Sequence, residues 1–218
     1  MNSDNNPIIS TISSLKEIVT IVTGLTITNA ILQLMTTTST ATASGLGTIS
    51  FQTLLLFILL VMNVIRFYHG NMRHLDTTYT AEWGKGSSGD LKLSGGRKTA
   101  IDFFVIFSQS LVFAFISFLL RVPLDFFALF VALLVADVVW FLGVYQFTSD
   151  RKAFDHQKQW TLNNTISVFA LLIAISSGAV LDPIVHVYLL WGILVLNTLI
   201  DFTVSWDFYF PKFVPAEK

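Results

Sequence analysis

Residues 126–139 read FFALFVALLVADVV, an apolar run whose one charged residue is Asp137. A helix needs about 20 mostly apolar residues to cross roughly 30 Å of hydrocarbon, and this run continues at both ends to reach that length. The whole chain has the same character, because 53% of its 218 residues are hydrophobic, 12% are charged and its mean hydropathy is +0.68. Such a composition does not fit a soluble globule. We therefore expect lipid to be the solvent of this chain.

Six stretches bounded by charged residues, Gly or Pro meet the length criterion. They are 15–35, 50–68, 99–120, 122–147, 161–180 and 184–207. The sequence therefore predicts an all-α, polytopic membrane protein whose six-helix transmembrane bundle covers 15–207. Three other segments complete the chain: a polar N-terminal segment at 1–14, a polar loop at 70–98 and a C-terminal tail at 208–218.

The basic residues indicate an orientation, because cytoplasmic loops of membrane proteins are enriched in Lys and Arg. In a six-helix topology, Arg121 is the single exception among the 13 Lys and Arg residues, and all the others fall on one side. The connections 36–49 and 178–183, on the opposite side, contain no basic residue. We expect both termini to be cytoplasmic and the protein to reside in the cell (inner) membrane.

Composition and motifs also exclude several functions. A formal net charge of −1 offers no overall field for nucleic acid, and without any Cys the chain has no disulfide, no thiolate nucleophile and no Cys-ligated metal. Neither a GxSxG nor an HExxH motif occurs. His69 and His74 are five residues apart, which does not match the i, i+4 spacing of a helical zinc motif. We expect no enzymatic activity, no cofactor and no metal.

The first predicted helix carries a stripe of polar residues. Their spacing of three, three, four and four residues places them on one helical face: Thr23, Thr26, Asn29, Gln33 and Thr37. In a symmetric oligomer such a face could line a water-filled path, with hydroxyls and amides replacing part of an ion's hydration shell. Alternatively, the stripe packs against a neighbouring helix, since hydroxyl and small residues commonly join membrane helices.

A second group of polar residues shares a depth near the predicted cytoplasmic side, as counted at 1.5 Å per residue from the opposite helix ends. Its members are Asn63, Arg66, His69, Asp102, Asp137, Asn197 and Asp201. An unpaired charge inside the bilayer is costly, so Arg66 should pair with Asp137 or Asp201. Three roles fit this layer: a structural salt-bridge network, a gate that coordinates ions, and a ligand or metal site.

Three functions are compatible with these patterns. The leading hypothesis is a homo-oligomeric ion channel or pore subunit, with a tetramer favoured, surrounded by membrane lipids and gated by a soluble cytoplasmic regulator. The alternative is a small secondary transporter in which Asp137 or Asp201 couples a proton or cation to substrate movement. The third is a structural or assembly membrane protein. No sequence motif assigns the chain to a known family.

Overall fold

The computed structural model describes residues 7–39, 50–80, 91–146 and 155–210. Within these ranges the chain is helical, with short turns between helices. Its seven helices are α1 (Pro7–Ser39), α2 (Phe51–Leu75), α3 (Leu91–Ile116), α4 (Pro123–Gln146), α5 (Asp155–Ser176), α6 (Pro183–Val204) and the single turn α7 (Trp206–Tyr209). A π-helical turn, Asp76–Thr80, continues α2, and 3-10 turns at Ser117–Leu119 and Ser177–Ala179 end α3 and α5.

Six of these helices are long and apolar enough to cross a membrane. The apolar spans are Ile9–Thr36, Phe51–Tyr79, Lys98–Leu119, Pro123–Gly143, Lys158–Ala179 and Pro183–Val204. The predictions of an all-α fold and of six membrane-spanning helices are therefore confirmed, and they indicate an integral membrane protein.

The first helix begins earlier than the sequence indicates. It starts at Pro7, so residues 7–14, predicted as part of a polar N-terminal segment, belong to α1, and residues 1–6 lie outside the described ranges. The extension is held by packing, because Ile12 and Leu15 are buried in a cluster with Leu75. Hydropathy alone did not predict that residues 7–14 are helical, since Ser and Thr occupy their outward positions.

The predicted loop at 70–98 is shorter than expected. Its first part is the end of α2 and the π-helical turn, and its last part is the start of α3, while 81–90 lies outside the described residues. Asn71 and His74 are buried within this extension, which explains why a polar segment remains helical. The predicted tail at 208–218 begins inside α7, and residues 211–218 lie outside the described residues.

The six long helices form a closed ring in the order α1, α3, α4, α5, α6, α2, and α2 then contacts α1 again. Ring neighbours that are consecutive in the chain run antiparallel, while α1 and α3 run parallel to each other, as do α2 and α6. The bundle therefore has two distinct ends. We call the end that contains the start of α4 and α6 the apolar half. The other end, which contains the last turns of α2, α4 and α6, is the polar half.

The apolar half contains a continuous hydrophobic core. Its buried members include Leu56, Leu59, Ile116, Phe126, Phe127, Phe130, Leu190 and Leu194. Two of the helices that form this core begin directly after tight turns. Pro123 is the first residue of α4, and Pro183, directly after Asp182, is the first residue of α6. The Asp182 carboxylate accepts the backbone N–H of Ile184 at 2.8 Å, which caps α6.

One glycine in this half is required by a close contact. A Cβ at Gly178 would lie 2.5 Å from Cε1 of His186, so no other residue fits there without movement of the imidazole. His186 is buried, and its Nε2 makes a 2.9 Å hydrogen bond with the carbonyl oxygen of Ala174. The histidine thus joins α6 to the end of α5.

Candidate functional site

Arg66 is the central residue of the polar half and is 1% exposed. Its Nε donates to Oδ2 of Asp201 at 2.7 Å. One terminal nitrogen donates to Oδ1 of Asn197 and the other to Oδ1 of Asn164 at 2.7 Å. Each nitrogen of the guanidinium therefore has an acceptor, as a buried arginine requires. Because α2 supplies the donor and α5 and α6 the acceptors, Arg66 joins three helices.

Asp137 is connected to Arg66 through an amide. It is buried on α4, and its Oδ2 accepts from Nδ2 of Asn164 at 2.6 Å. Its Oδ1 accepts from Nε2 of Gln109 at 2.8 Å, and Gln109 in turn accepts from Nδ2 of Asn71 at 3.1 Å. The direct partner of Arg66 is thus Asp201, while Asp137 lies one amide further away.

These contacts make one continuous hydrogen-bonded group across five helices. We call it the polar layer, and its members are Asn71, Gln109, Asp137, Asn164, Arg66, Asn197 and Asp201. Each of these residues is buried. The amide of Asn164 links Asp137 to Arg66, and Arg66 bonds directly to Asp201, so the three charged groups are connected through hydrogen bonds that polarise one another.

The polar layer has more negative than positive groups. Asp137 and Asp201 supply two carboxylates, and Arg66 is the one buried Lys or Arg among the described residues. With both carboxylates ionised, one negative charge stays without a positive partner in the layer. Moreover, Oδ1 of Asp201 is buried without a hydrogen-bond partner in the described part of the chain. A buried carboxylate oxygen in this condition favours the binding of a proton or a cation.

Asp102 belongs to a neighbouring cluster. Its Oδ2 lies 3.1 Å from Nε2 of His74 and accepts from the hydroxyl of Tyr79 at 2.8 Å. Its Oδ1 accepts from Nε1 of Trp140 at 3.0 Å. The predicted layer of seven residues is therefore divided, because the carboxylate of Asp102 on α3 has its own partners from α2, the π-helical turn and α4.

Asn63 and His69 lie beside the polar layer. The side-chain oxygen of Asn63 accepts from the hydroxyl of Thr198 at 3.3 Å, one helical turn from Arg66 towards the apolar half. Nε2 of His69 makes a 2.9 Å hydrogen bond with the carbonyl oxygen of Tyr209. His69 thus fastens α7 to α2 on the side of the layer that faces away from the apolar half.

The polar face of α1 is turned towards other helices of the same protomer. Thr26 is buried and donates to the carbonyl oxygen of Val22 at 2.8 Å, while Asn29 donates to the hydroxyl of Ser117 at 2.7 Å. Thr23 is half-buried and lines a small cavity with Thr26, next to Asn71 and Gln109 of the polar layer.

The remaining two residues of this stripe lie near the end of α1. Gln33 is half-buried, and its backbone carbonyl accepts from Arg121 at 3.3 Å. Thr37 lies in the last turn of α1, but its side chain is outside the described residues. The lining of a pore by this stripe stays a prediction.

A cleft opens beside the polar layer. Its lining consists of Arg66, Phe67, Gly70, Asn71, His74, Trp140, Trp160, Ser205, Phe208 and Tyr209. The hydroxyl of Tyr209 donates to Oδ2 of Asp201 at 2.6 Å, so α7 closes directly onto the charged pair. Burial, and secondarily the negative charge of Asp201, raise the pKa of Tyr209 above its ordinary value of 10.0, which keeps this hydroxyl protonated.

Sequence reasoning did not single out several members of this site. Gln109 and Asn164 complete the polar layer, Tyr209 connects it to the cleft, and Trp140 connects the cleft to Asp102. A signal did exist for Asn164, because it lies three residues before Ser167 on one face of a predicted span, and Asn197 contacts both. The aromatic residues had no comparable signal, since Trp and Tyr near a helix end are also typical membrane-interface anchors.

Comparison with known proteins identifies no relative. No family model, no curated protein and no solved structure matches this chain. Within the described ranges, no group of three or more His, Cys, Asp or Glu side chains is arranged to hold a metal ion. The functional interpretation therefore depends on the geometry of the polar layer and the cleft.

Proposed function

We propose that this chain is a membrane transport protein in which each protomer moves a proton or a small cation through its own polar layer. In this proposal, Asp137 and Asp201 hold the ion, and Arg66 is a permanent counter-charge. The single observation that carries it is that the polar layer contains two buried carboxylates but only one guanidinium. This proposal follows the secondary-transporter hypothesis and not the ion-channel hypothesis.

The excess charge supports transport because an uncompensated charge inside a bilayer costs at least about 2.5 kcal/mol, even on the most lenient scales. A purely structural network would cost less with one carboxylate and one guanidinium. Binding a proton or a cation removes the cost, and releasing it restores the cost. A site with this property exchanges its ion when it becomes accessible to water.

The surroundings of the layer favour a transporter over an open channel. The apolar half separates the layer from one end of the bundle with a packed core that includes Leu59, Phe126 and Phe130. The cleft approaches the layer from the other end. A buried site with a packed core on one side and a cleft on the other fits an occluded state of alternating access, in which the bundle rearranges around a fixed site.

An oligomeric pore along α1 receives less support. Thr26 and Asn29 make their hydrogen bonds inside the protomer, so they would have to exchange partners to line a path between protomers. The tetramer and the soluble cytoplasmic regulator stay predictions of that hypothesis. An oligomer of transporters, each with its own site, is compatible with our proposal.

We also propose that the polar half and both termini face the cytoplasm, in the inner membrane of a cell. The support is the sequence distribution of Lys and Arg, because a six-helix topology puts all of them but Arg121 on one side, and Arg121 itself follows α3 at the apolar half. With this orientation the cleft opens towards the cytoplasm. The apolar half then closes the site against the outside.

Ion flux into liposomes that contain the purified protein tests the proposal. The measured quantities are the internal pH, from a trapped dye, and tracer uptake of Na⁺ and K⁺ under an imposed membrane potential. We expect the wild type to take up one of these ions. Asp137→Asn keeps the size of the side chain but removes its charge and replaces one of its two acceptor oxygens by a donor NH₂, so its uptake should fall to that of empty liposomes.

A matched variant on the same helix controls for nonspecific effects. Asp125 is exposed in the first turn of α4, and Asp125→Asn should transport like the wild type. Full uptake by Asp137→Asn, or silence of a correctly folded wild type for all three ions, would contradict the proposal. Discrete unitary currents would favour the channel hypothesis instead, and a folded protein without any flux would favour a structural role.

A further inference from the structure

The cleft beside the polar layer has an aromatic lining. Six of its residues carry rings: Phe67, His74, Trp140, Trp160, Phe208 and Tyr209. Neighbouring rings stand at steep angles, with 85° and 6.1 Å between Trp140 and Trp160, and 86° and 5.1 Å between His74 and Trp140. Rings at such angles form the walls of a box, the arrangement in which proteins surround organic ammonium groups.

Two of these walls are attached to buried carboxylates. The indole N–H of Trp140 donates to Asp102, and the hydroxyl of Tyr209 donates to Asp201. A hydrogen bond to an anion pushes electron density into the donating ring, which strengthens the attraction between its face and a cation. The net negative charge of the polar layer acts in the same direction. Arg66 also lines the cleft, but the carboxylate of Asp201 compensates its positive charge.

A third wall offers a hydrogen-bond donor. Nε1 of Trp160 is buried and has no hydrogen-bond partner among the residues that the structure describes. Buried polar groups are normally hydrogen-bonded, so this N–H suits an acceptor atom on a bound molecule. A ligand that fits the cleft therefore combines a positive charge with an acceptor such as a hydroxyl or ether oxygen.

The size of the cleft limits the ligand. Its volume is only about 30 Å³. A drug-sized compound does not fit such an interior, and a small head group enters it only when the lining side chains move apart.

We propose that the aromatic cleft is the substrate site of the transporter, and that it binds a small organic ammonium ion that carries a hydrogen-bond acceptor. This inference rests on the proposed function for its role in transport. The cation would lie against the rings of Trp140, Trp160 and Tyr209, with its acceptor on Nε1 of Trp160. The positive charge of the ligand offsets the excess negative charge of Asp137 and Asp201. The ammonium ion and a proton are therefore alternative ways to neutralise these carboxylates.

Three matched probes separate charge, acceptor and shape. Choline has both features, 3,3-dimethylbutan-1-ol has the same shape and hydroxyl without the charge, and tetramethylammonium has the charge without the hydroxyl. Equilibrium binding to the full purified chain in detergent is measured by calorimetry. We expect saturable binding of choline, at least about tenfold weaker binding of the neutral alcohol, and intermediate binding of tetramethylammonium.

The variant Trp160→Phe makes the test sharper because it keeps a ring and removes the N–H. Choline affinity should fall to that of tetramethylammonium, while tetramethylammonium itself should lose little. Trp206→Phe is the matched control, since Trp206 is exposed and does not line the cleft. It should bind both cations like the wild type.

The outcomes separate this inference from the proposed function. Equal binding of choline and 3,3-dimethylbutan-1-ol overturns the assignment of a cationic ligand. Absence of saturable choline binding, in protein that still shows Asp137-dependent ion uptake, overturns the substrate site and leaves the proposed function intact. If choline binds as expected but no ion or choline enters liposomes, the binding site stands and the transport function fails.

Discussion

The buried centres of the two halves of the bundle have opposite chemistry. In the apolar half, the rings of Phe126 and Phe130 lie 5.0 Å apart between the helices. In the polar half, the buried guanidinium of Arg66 reaches acceptors on α5 and α6. Both centres are fully buried, but only the second needs a specific partner for every atom.

This difference affects how each half responds to change. Contacts between rings are nondirectional and individually small, so a packed core can shift slightly without losing all its stabilisation. A hydrogen-bonded charge network has a few discrete arrangements, and an incomplete one is worse than none. A conformational change coupled to an ion is therefore expected to begin in the polar half, while the apolar half acts as the closed barrier.

The largest effect should come from removal of the central cation. Arg66→Met keeps much of the side-chain volume but leaves Asp137 and Asp201 buried without a positive charge. We expect a loss of about 4 kcal/mol in unfolding free energy, as for other buried ion pairs that lose one partner. Equilibrium unfolding in mixed SDS micelles measures it.

The same substitution at Arg121 is the control, because Arg121 is exposed in the apolar half and donates to Thr36. Arg121→Met should change the unfolding free energy by no more than about 0.5 kcal/mol. Asp201→Asn in the Arg66→Met background should recover part of the loss, since it removes one of the unpaired charges. Equal stability of Arg66→Met and wild type would show that the layer is not a charged network.

A cavity in the apolar half should have the next largest effect. Phe130 is fully buried and contacts Phe113 and Phe126, so Phe130→Ala removes packing that lipid cannot replace. We expect a loss of about 3 kcal/mol in unfolding free energy. The matched variant Phe104→Ala, at a position 68% exposed, should cost far less. A similar loss at both positions would contradict the packed-barrier interpretation.

The third prediction concerns the hydroxyl of Tyr209. Tyr209→Phe removes its hydrogen bond to Asp201, which should cost about 1.5 to 2 kcal/mol near neutral pH. The folded-state pKa is raised above 10.0, because burial and the charge of Asp201 disfavour the phenolate. In the unfolded chain the phenol ionises near pH 10, so this contribution is complete below that pH and is lost as pH rises above it.

Unfolding free energies at several alkaline pH values check this sign. The gap between wild type and Tyr209→Phe should be constant up to about pH 10 and narrow above it. A gap that stays constant, or that widens with rising pH, would mean that Tyr209 is not buried against Asp201.

Much of the fold could be predicted from the sequence, but less of the site. Apolar length alone identifies six spans, because the cost of unsatisfied backbone in lipid leaves helices as the solution. A rise of 1.5 Å per residue likewise explains why Arg66, Asn197 and Asp201 were predicted at one depth, and they do hydrogen-bond there. Periodicity shows which residues share a helical face, but not what that face contacts. Partners such as Asn164 or Ser117, about 90 to 100 residues away in sequence, depend on packing.

The smallest expected effect distinguishes packing from a pore at the face of α1. Asn29→Leu removes one hydrogen bond to Ser117, and interhelical hydrogen bonds in membranes average only about 0.6 kcal/mol. A double-mutant cycle with Ser117→Ala should give a coupling of that size.

Asn29→Cys introduces a single thiol, because the chain has no other Cys. We expect this thiol to resist water-soluble thiosulfonate reagents, since the face is turned to α3. Rapid labelling would mean that water reaches α1, and the pore hypothesis would then replace a path inside the polar half.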